Sequence, residues 1–379
     1  MIDFASALYL GMSHPAAQLG SYAALTTGTP AALAVSPLAG TLAAQAAALQ
    51  GCEAGLAGPS TLHLSLDLFD RLGRTHALVA DDTLYPVMRW GLERVRGLGA
   101  PVTLFRHADL ADLARRLRQG TGMRPPAVVT DGTRREGAPV ALRRYLALVR
   151  ERGGLVVVDH TQLLGLAGAQ PGPGRPWGSG GGGLLRYAGL APAEPVLLLA
   201  SWAKAFGAPL ATLCGPAALV GEIARDGPTQ AHCSAASQAA LLAGLNALAR
   251  NGCDGDALRA ALLERVRRLR RGLRWLAQHR LPDLQVSVPL HPMQQLRLGS
   301  AGRTRALHAG LRAAGFRTAL LRQAEGRCAV AVVVRASHAP QEIDGLLAAL
   351  ASLAGQPAVP RGRAPPAYRE SLHVQDCGR

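Results

Sequence analysis

The sequence predicts an α/β protein with a large domain, built on a mostly parallel sheet between helices, and a smaller α+β domain after it. From about Gly51 to Pro216, short apolar runs alternate with helical patterns. The runs are near-continuous in Val, Leu and Ala, which is typical of parallel strands covered on both faces. After about Gln230 the pattern changes to long helical stretches and short strands. The length of 379 residues also exceeds the roughly 250–300 at which one core stops growing.

Apolar runs bounded by polar or turn residues indicate the strands of the large domain, at Ala77–Ala80, Val102–Phe105, Ala127–Thr130, Leu155–Val158, Val196–Ala200 and Ala211–Cys214. Helical periodicity between them predicts helices at Thr61–Leu72, Val87–Gly97, Leu110–Arg118 and Val140–Arg152. Strands that alternate with helices imply right-handed βαβ crossovers. The Pro- and Gly-rich stretch Gln170–Gly183 is expected to be a loop.

The smaller domain is expected to begin with two long helices, Ser234–Arg250 and Asp256–His279. Short strands follow near Leu284–Val288, Met293–Leu298, Thr318–Leu321 and Ala329–Val334, with helices at Thr304–Ala314 and Pro340–Leu353. We therefore predict a large domain over residues 46–233 and a small domain over residues 234–355, to which the N-terminal segment 1–45 contributes. Residues 356–379, rich in Pro and Arg, are expected to form a tail or an arm on a partner.

The composition argues against several classes of protein. The formal net charge is +16, but the densest basic run, Arg265–Arg274, has its apolar residues at helical spacing and no interleaved aromatic rings. A solvated helix face is therefore favoured over a nucleic-acid site. The six Cys have no zinc spacing, so no metal site is expected. Neither a long apolar run nor a signal peptide is evident, so we expect a cytoplasmic protein without a membrane span.

One lysine stands out against this background. Of the 41 Lys and Arg residues, only Lys204 is a lysine. Arg can replace Lys on a surface but cannot act as an amine nucleophile, because its guanidinium does not deprotonate in proteins. Lys204 follows one apolar strand, and Asp159, 45 residues earlier, ends another. Carboxyl ends of strands are where open α/β sheets bind ligands.

A lysine and an aspartate at strand ends suit pyridoxal phosphate (PLP). Lys204 would form the Schiff base, and Asp159 would pair with the protonated pyridine nitrogen and keep the ring an electron sink. The Ser201 hydroxyl could bind the phosphate. The segment Gly58-Pro59-Ser60-Thr61 opens a predicted helix and supplies hydroxyls and free N–H groups for the same phosphate. Chance or ordinary capping explains each feature alone, but together they indicate a PLP site.

Six segments resemble, in order, the motifs of the α-oxoamine synthases, a family of fold-type I PLP enzymes within the aminotransferase class I/II superfamily that includes 8-amino-7-oxononanoate synthase and 2-amino-3-ketobutyrate CoA ligase. The segments are IDFASALYLGMSHP, FRHADLADL, TDGTRREGAPVAL, VVVDHTQLLGLAG, SWAKAFGAPLATLCG and ASHAPQEIDGLL. The resemblance implies a seven-stranded sheet, PLP as cofactor, and a homodimer with the active site at its interface. It also assigns positions: Lys204 to the Schiff base, Asp159 to the pyridine nitrogen, Ser201, Ser60 and Thr61 to the phosphate, Ser234 to a phosphate across the interface, and Asp131 to an acidic motif residue.

Several positions depart from the family pattern. Tyr85 stands where a His stacks on the pyridine ring, Gln162 where a His bonds the ring hydroxyl, and Thr161 where an Ala packs on the other ring face. Ala7 replaces an Asn near the substrate carboxylate, and the Arg that grips that carboxylate aligns with apolar Ala329–Val332. Nearby arginines could substitute: Arg322, Arg327 and Arg335. The cofactor residues are thus retained, whereas the site for the amino-acid carboxylate is rebuilt.

The resemblance implies a Claisen-type condensation of an amino acid with an acyl thioester of CoA or a carrier protein, in a specialised biosynthetic pathway. The rebuilt carboxylate site leaves open another PLP reaction, namely aldol-type C–C bond formation, aminotransfer or decarboxylation. A third possibility is a non-catalytic subunit of a synthase, against which the retained Lys204 argues. No nucleic-acid partner is expected.

Overall fold

A computed structural model describes residues 1–354 except 32, 34–35, 121, 135–136 and 324–325. The chain divides into two structural units: Leu10–Ala257, and Met1–Tyr9 with the described part of Leu258–Arg379. The predicted tail, residues 356–379, lies outside the described residues. The domain limits predicted at residues 45, 233 and 355 stay predictions. The α/β class is confirmed.

The strands, in chain order, are β1 (Ile2–Asp3), β2 (Ala54–Gly58), β3 (Ala77–Asp81), β4 (Val102–Phe105), β5 (Pro126–Asp131), β6 (Leu155–Asp159), β7 (Val196–Ser201), β8 (Ala211–Gly215), β9 (Gln285–Val286), β10 (Met293–Arg297), β11 (Phe316–Arg317), β12 (Ala319–Arg322) and β13 (Cys328–Val333). The helices are α1 (Pro37–Gln50), α2 (Thr61–Thr75), α3 (Pro86–Gly97), α4 (Leu110–Gly120), α5 (Leu142–Arg150), α6 (Leu184–Tyr187), α7 (Ala217–Asp226), α8 (Pro228–His232), α9 (Gln238–His279), α10 (Ala301–Ala313) and α11 (Pro340–Ala354).

The larger unit is built on a seven-stranded sheet with the order β2-β8-β7-β6-β5-β3-β4. Strand β8 runs antiparallel to both neighbours, and the other adjacent pairs are parallel, so the mostly parallel sheet is confirmed. Strands β5, β6 and β7 are buried up to their last residue, where a half-buried polar side chain stands. Apolar side chains on both faces cover these strands, which explains their near-continuous Val and Leu content.

Helices α2 and α3 cover one face of this sheet. The apolar stripe of α2 (Leu64, Leu68, Phe69 and Leu72) packs into a core with Met88, Leu92 and Val95 of α3 and with side chains of the central strands. Gly91 permits the close approach of the two helices, since a Cβ there would lie 2.6 Å from Phe69 Cδ2. Ser60 caps the N-terminus of α2. This packing holds α2 against the sheet, so the short segment between the end of β2 and α2 has a fixed position.

Strand β2 was not predicted, and the helix after residue 234 differs from the prediction. Strand β2 has the sequence AGLAG, and Gly and Ala have low β-propensity, but its pairing with β8 makes it an edge strand. The two predicted helices after residue 234 are wrong, because a single 42-residue helix, α9, runs through Asn251–Asp256. The polar side chains there do not cap a break: Asn251 Nδ2 donates to Gly180 O at 2.9 Å, and Asp256 Oδ1 accepts from Gly180 N–H at 3.0 Å.

The smaller unit holds a four-stranded antiparallel sheet with the order β12-β13-β10-β9 and a parallel pair of β1 and β11. Its helices are α10, α11 and the later half of α9, whose buried side chains include Leu269, Leu273, Leu311 and Leu346. Gly272 lies against Leu347 and Gly310 against Leu353, which brings α9 and α10 close to α11. Among the described helices, none is long and apolar enough to cross a bilayer.

Candidate active site

Polar side chains gather at the carboxyl edge of the seven-stranded sheet. Asp131 and Asp159 are register partners at the ends of β5 and β6. Gly58, Ala211 and Ser201 form one row across β2, β8 and β7, so the segment entering α2 and the end of β7 lie at this edge too. Strands lie about 4.8 Å apart, which places the carboxylates and the α2 entry at opposite sides of a narrow site. The strand order and register of the sheet therefore bring these predicted residues to one edge.

Asp159 is held by Thr161. The Thr161 N–H donates to Asp159 Oδ1 at 3.0 Å, and the Thr161 hydroxyl hydrogen-bonds the same carboxylate. Burial raises the pKa of Asp159, while these hydrogen bonds and the Lys204 charge lower it, with a net rise above the ordinary value. The Thr161 oxygen also accepts from Ser201 N–H at 2.9 Å. Thr161 thus links the carboxylate to the strand end that leads to Lys204.

Lys204 lies in the loop that directly follows β7 (the lysine loop, residues 202–207), and buried aromatic side chains hold this loop in place. Trp202 is buried, donates through Nε1 to Thr212 Oγ1 at 2.9 Å, and packs on Phe206 with ring centroids 4.9 Å apart. Burial lowers the pKa of Lys204, and the nearby Asp159 charge partly offsets this. A lowered pKa increases the fraction of free amine, which is the nucleophilic form.

The neighbouring carboxylate, Asp131, holds the start of α3. The Tyr85 N–H donates to Asp131 Oδ2 at 3.2 Å. Burial and the Asp159 charge raise the pKa of Asp131 well above its usual range, because two buried carboxylates on adjacent strands cannot both ionise cheaply. Burial, followed by the charges of Asp159 and Asp131, raises the pKa of the Tyr85 phenol, which places this side chain beside both. Tyr85 nevertheless keeps 50% of its surface exposed, so one part of it faces open space.

The α2 entry is arranged for an anion. Ser60 is extended, and its Oγ accepts from His63 N–H at 3.5 Å and lies 2.8 Å from His63 Nδ1. Helix geometry leaves the N–H groups of Thr61 and Leu62 without partners inside the helix. Ser201 Oγ, two strands away at the end of β7, accepts from Ala203 N–H at 3.3 Å. Free N–H groups and a hydroxyl are the donors that a phosphate needs.

The remaining predicted residues are less closely tied to these groups. Gln162 is half-buried in the turn after β6. Ser234 is exposed and forms an isolated antiparallel bridge with Pro30. In the smaller unit, Arg322 is exposed at the end of β12, and Arg335 donates to Asp3 O at 3.1 Å and lies 3.7 Å from Asp3 Oδ2. Their predicted roles stay predictions.

A histidine that the sequence reasoning did not single out braces the lysine loop. His14 Nε2 lies 2.7 Å from Phe206 O, and Asn246 Nδ2 lies 3.2 Å from His14 Nδ1. The imidazole therefore donates to the carbonyl two residues after Lys204 and accepts from Asn246, which fixes its tautomer. His14 lies inside the N-terminal motif, so its presence there is the signal that could have identified it.

The donor set fits PLP. The carboxylate of Asp159 is buried and has a raised pKa, and its partners are the two Thr161 donors and the Lys204 charge. A protonated pyridine nitrogen would supply the further donor that a buried carboxylate needs. The anion-binding donors at the α2 entry stand on the opposite side of the same edge, where the phosphate would be held. Among the described residues, no group of three or more His, Cys, Asp and Glu side chains could hold a metal ion.

Comparisons with known proteins show what the chain is similar to. The model of the family described as aminotransferase class I and II matches residues 93–348. An 8-amino-7-oxononanoate synthase of Halorhodospira halophila is 30% identical over 319 residues, covering 83% of this chain and 74% of that protein. One from Alkalilimnicola ehrlichii is 29% identical over 310 residues, covering 81% and 74%.

Two solved structures match the fold. Serine palmitoyltransferase of Sphingomonas wittichii superposes with a TM-score of 0.80 at 18% identity, covering 93% of this chain and 86% of that one. An 8-amino-7-oxononanoate synthase of Francisella tularensis gives a TM-score of 0.73 at 16% identity, covering 93% and 97%. At these identities the likeness concerns the fold alone, and the predicted fold-type I architecture is confirmed.

Proposed function

Because the chain belongs to the aminotransferase class I and II family and, within it, to the α-oxoamine synthases, we propose that Lys204 and Asp159 hold PLP and that the enzyme joins an amino acid to the acyl group of a thioester. The observation that carries the assignment is the buried carboxylate of raised pKa next to the only lysine of the chain. The acyl donor is a thioester of CoA or of a carrier protein. We place the reaction in a specialised biosynthetic pathway in the cytoplasm.

PLP, when bound, supplies an electron sink that makes the α-carbon of an amino acid acidic. The Asp159 carboxylate would pair with the protonated pyridine nitrogen, and the Thr161 donors favour its ionised form. Lys204, with its pKa lowered by burial, supplies a free amine for covalent attachment and for proton transfer. Ser60, Thr61 and Ser201 would hold the phosphate, and the Tyr85 ring, at the start of α3, would stack on the cofactor ring.

Two positions have adjusted roles in this proposal. Gln162 replaces an imidazole, so it can donate a hydrogen bond to the ring hydroxyl but cannot titrate. Asp131, whose pKa is raised by burial and by the Asp159 charge, is protonated over more of the pH range than an ordinary carboxyl. When it is protonated, Asp131 can still accept the Tyr85 N–H without adding a second negative charge beside Asp159.

We also propose a homodimer. Three large apolar side chains of one N-terminal stretch are exposed: Tyr22 by 40%, Leu25 by 56% and Leu33 by 79%. Leu25 O accepts from Gln238 N–H at 2.9 Å, and Pro30 pairs with Ser234, so the hydroxyl predicted to reach a partner's phosphate shares this surface. A second copy would cover the apolar side chains and bring Ser234 to its site.

The assembly is tested by light scattering of the wild type and of a Leu25→Glu/Leu33→Glu double variant. We expect a dimer for the wild type, and a monomer with weakened PLP binding for the variant. Leu98→Glu, at a side chain 69% exposed on the far end of α3, is the matched control and should stay dimeric. A monomeric wild type that binds PLP tightly would refute the shared site.

The reaction is tested by incubating the PLP-loaded enzyme with an amino acid and an acyl-CoA and measuring the release of free thiol. We expect thiol release that depends on both substrates and is lost in Lys204→Ala. Keto-acid formation without thiol release would contradict the condensation and indicate aminotransfer. Replacing acyl-CoA with an acylated carrier protein then distinguishes the two donors.

A further inference from the structure

The carboxylate of Asp81 and the imidazole of His107 have no part in the reaction proposed above. Asp81 ends β3 and is the register partner of Phe105, which ends β4, and His107 follows two residues later. Only 2% of the Asp81 surface is exposed, and the His107 side chain is also largely buried. Burying ionisable groups is costly unless they are paired and hydrogen-bonded, so their partners show what they hold.

Asp81 accepts hydrogen bonds from two separate turns. In the turn after β3, the Thr83 N–H donates to Asp81 Oδ1 at 2.9 Å, and the Thr83 hydroxyl donates to the same oxygen at 3.0 Å. In the turn after β4, His107 Nδ1 lies 3.0 Å from both carboxylate oxygens, and the Ala108 N–H donates to Oδ2 at 3.3 Å. The carboxylate therefore ties the two turns together.

His107 is a donor in this cluster. Burial raises the pKa of Asp81, but the bonds from His107 and Thr83 outweigh it and hold this pKa below its usual range, so the carboxyl is ionised. A carboxylate only accepts, so the Nδ1 atom beside it carries a proton. The Thr83 oxygen lies 2.7 Å from the same Nδ1. Because Asp81 and Thr83 share one ring nitrogen, the three side chains are not a hydrolytic triad, in which hydroxyl and carboxylate contact opposite ring nitrogens. They form a clamp on the backbone (the Asp81 clamp: Asp81, Thr83 and His107).

The backbone at the second turn is strained. Ala108 has a φ of 54°, and it is one of two non-glycine residues with positive φ in the part of the chain that the structure describes. Alanine is disfavoured in this left-handed region, because its Cβ crowds the backbone and it has no polar side-chain group to form a local hydrogen bond. Such strain persists only where the surrounding contacts impose it, and it is concentrated at functional sites. The bond from Ala108 N–H to Asp81 is one of those contacts.

The Asp81 clamp ends two residues before Tyr85. Thr83 is followed by the buried Leu84 and then by Tyr85, whose N–H donates to Asp131 Oδ2 at 3.2 Å. The short segment that leads to Tyr85 is thus fastened at its start by the clamp and at its end by Asp131. Half of the Tyr85 surface is exposed, so packing alone holds the ring loosely. The position of the ring therefore depends on the backbone that carries it.

Resting on the proposed function, we propose that Asp81 and His107 are positioning residues, which hold the turn after β3 so that the Tyr85 ring can stack on the cofactor. They act through the backbone of Thr83 and Leu84. A ring that is already held in its stacking position loses less conformational freedom when the cofactor binds.

A double-mutant cycle between His107 and Tyr85 tests this role. The cofactor-free protein is titrated with PLP, and visible absorbance reports the dissociation constant. His107→Phe keeps a ring but removes the Nδ1–H donor, so it should raise this constant about five- to tenfold, as expected for a weakened ring stack. His107→Asn should restore binding, because its amide N–H lies at nearly the same distance from the backbone as Nδ1–H. In the Tyr85→Ala background, His107→Phe should cause no further loss.

Two more variants complete the test. Thr83→Val removes only the hydroxyl of the Asp81 clamp, and it decides the question if His107→Phe does not fold. It should weaken PLP binding about threefold, and this loss should also vanish in the Tyr85→Ala background. His76→Phe changes a histidine at the amino end of β3, away from the Asp81 clamp. It is the matched control and should bind PLP as the wild type does.

Losses that add in the double variants would show that the Asp81 clamp acts independently of Tyr85 and would overturn the proposal. Wild-type affinity in both His107→Phe and Thr83→Val would overturn it as well, while the proposed function would stand. A wild-type protein that does not bind PLP would instead refute the proposed function itself.

Discussion

Replacing Thr161 with valine should weaken PLP binding, because Thr161 is the residue that holds Asp159. The valine keeps the backbone N–H that donates to Asp159 Oδ1 at 3.0 Å but removes the hydroxyl. The carboxylate then has one donor fewer, and Ser201 N–H loses the acceptor that stands at 2.9 Å. A hydrogen bond to a charged group contributes about 1.5–3 kcal/mol, so the dissociation constant for PLP should rise about 10- to 100-fold.

The loss of PLP affinity in Thr161→Val should depend on pH, because the variant changes the pKa of Asp159. The Thr161 donors lower the pKa of Asp159, so their loss raises it and favours the protonated carboxyl, which cannot pair with a pyridinium. The defect of Thr161→Val should therefore shrink as the pH rises. Titrations of the cofactor-free protein with PLP at about pH 6.5 and about pH 8.5, followed by visible absorbance, measure this. Thr161→Ser, which keeps the hydroxyl, should behave as the wild type. Equal affinities of the Val and Ser variants at both pH values would refute the reasoning.

Three further predictions concern stability and the ring contact. Burial lowers the pKa of His160 from 6.5 to about 3, so the neutral histidine contributes its full stability above pH 6.5, and this stability is lost as the pH falls towards 3. The free energy of unfolding, measured in urea, should therefore fall by about 1.4 kcal/mol for each pH unit below 6.5. His160→Asn should make this dependence on pH less steep. Asp67 is buried and accepts from Thr229 N–H at 2.7 Å and Gln230 Nε2 at 3.0 Å, so Asp67→Ala should lower the free energy of unfolding by about 3 kcal/mol without changing PLP affinity. Tyr85→Phe should keep PLP affinity within about twofold and Tyr85→Ala should lose about tenfold, and equal losses would exclude a role for the ring.

The parts of the fold that the sequence predicts are those with a strong local pattern. Strands β5, β6 and β7 are covered on both faces, so their residues must be apolar at every position and the pattern is unmistakable. Strand β2 has no such pattern, because its conformation depends on pairing with β8, about 150 residues later. The break predicted near Asn251 fails for a similar reason, since Gly180, on a distant loop, hydrogen-bonds the polar residues there.

The sequence likewise predicts some residues of the candidate site and not others. Lys204 and Asp159 are recognisable because their chemistry is tied to their residue type and to the strand ends that carry them. The link from Ser201 to Thr161 spans 40 residues and that from Phe206 to His14 spans 192. Such contacts exist only once the sheet has formed, so no local sequence pattern predicts them.

Borohydride reduction of the PLP-loaded protein, followed by peptide mass spectrometry, tests the central assignment most directly. Lys204 is the only lysine, so the only other amine is the chain's N-terminus. We predict one phosphopyridoxyl group per chain, on the peptide that contains Lys204, and none in Lys204→Ala. A protein that remains unlabelled, or that carries the group on its N-terminal amine alone, would contradict the assignment of Lys204 and with it the proposed reaction.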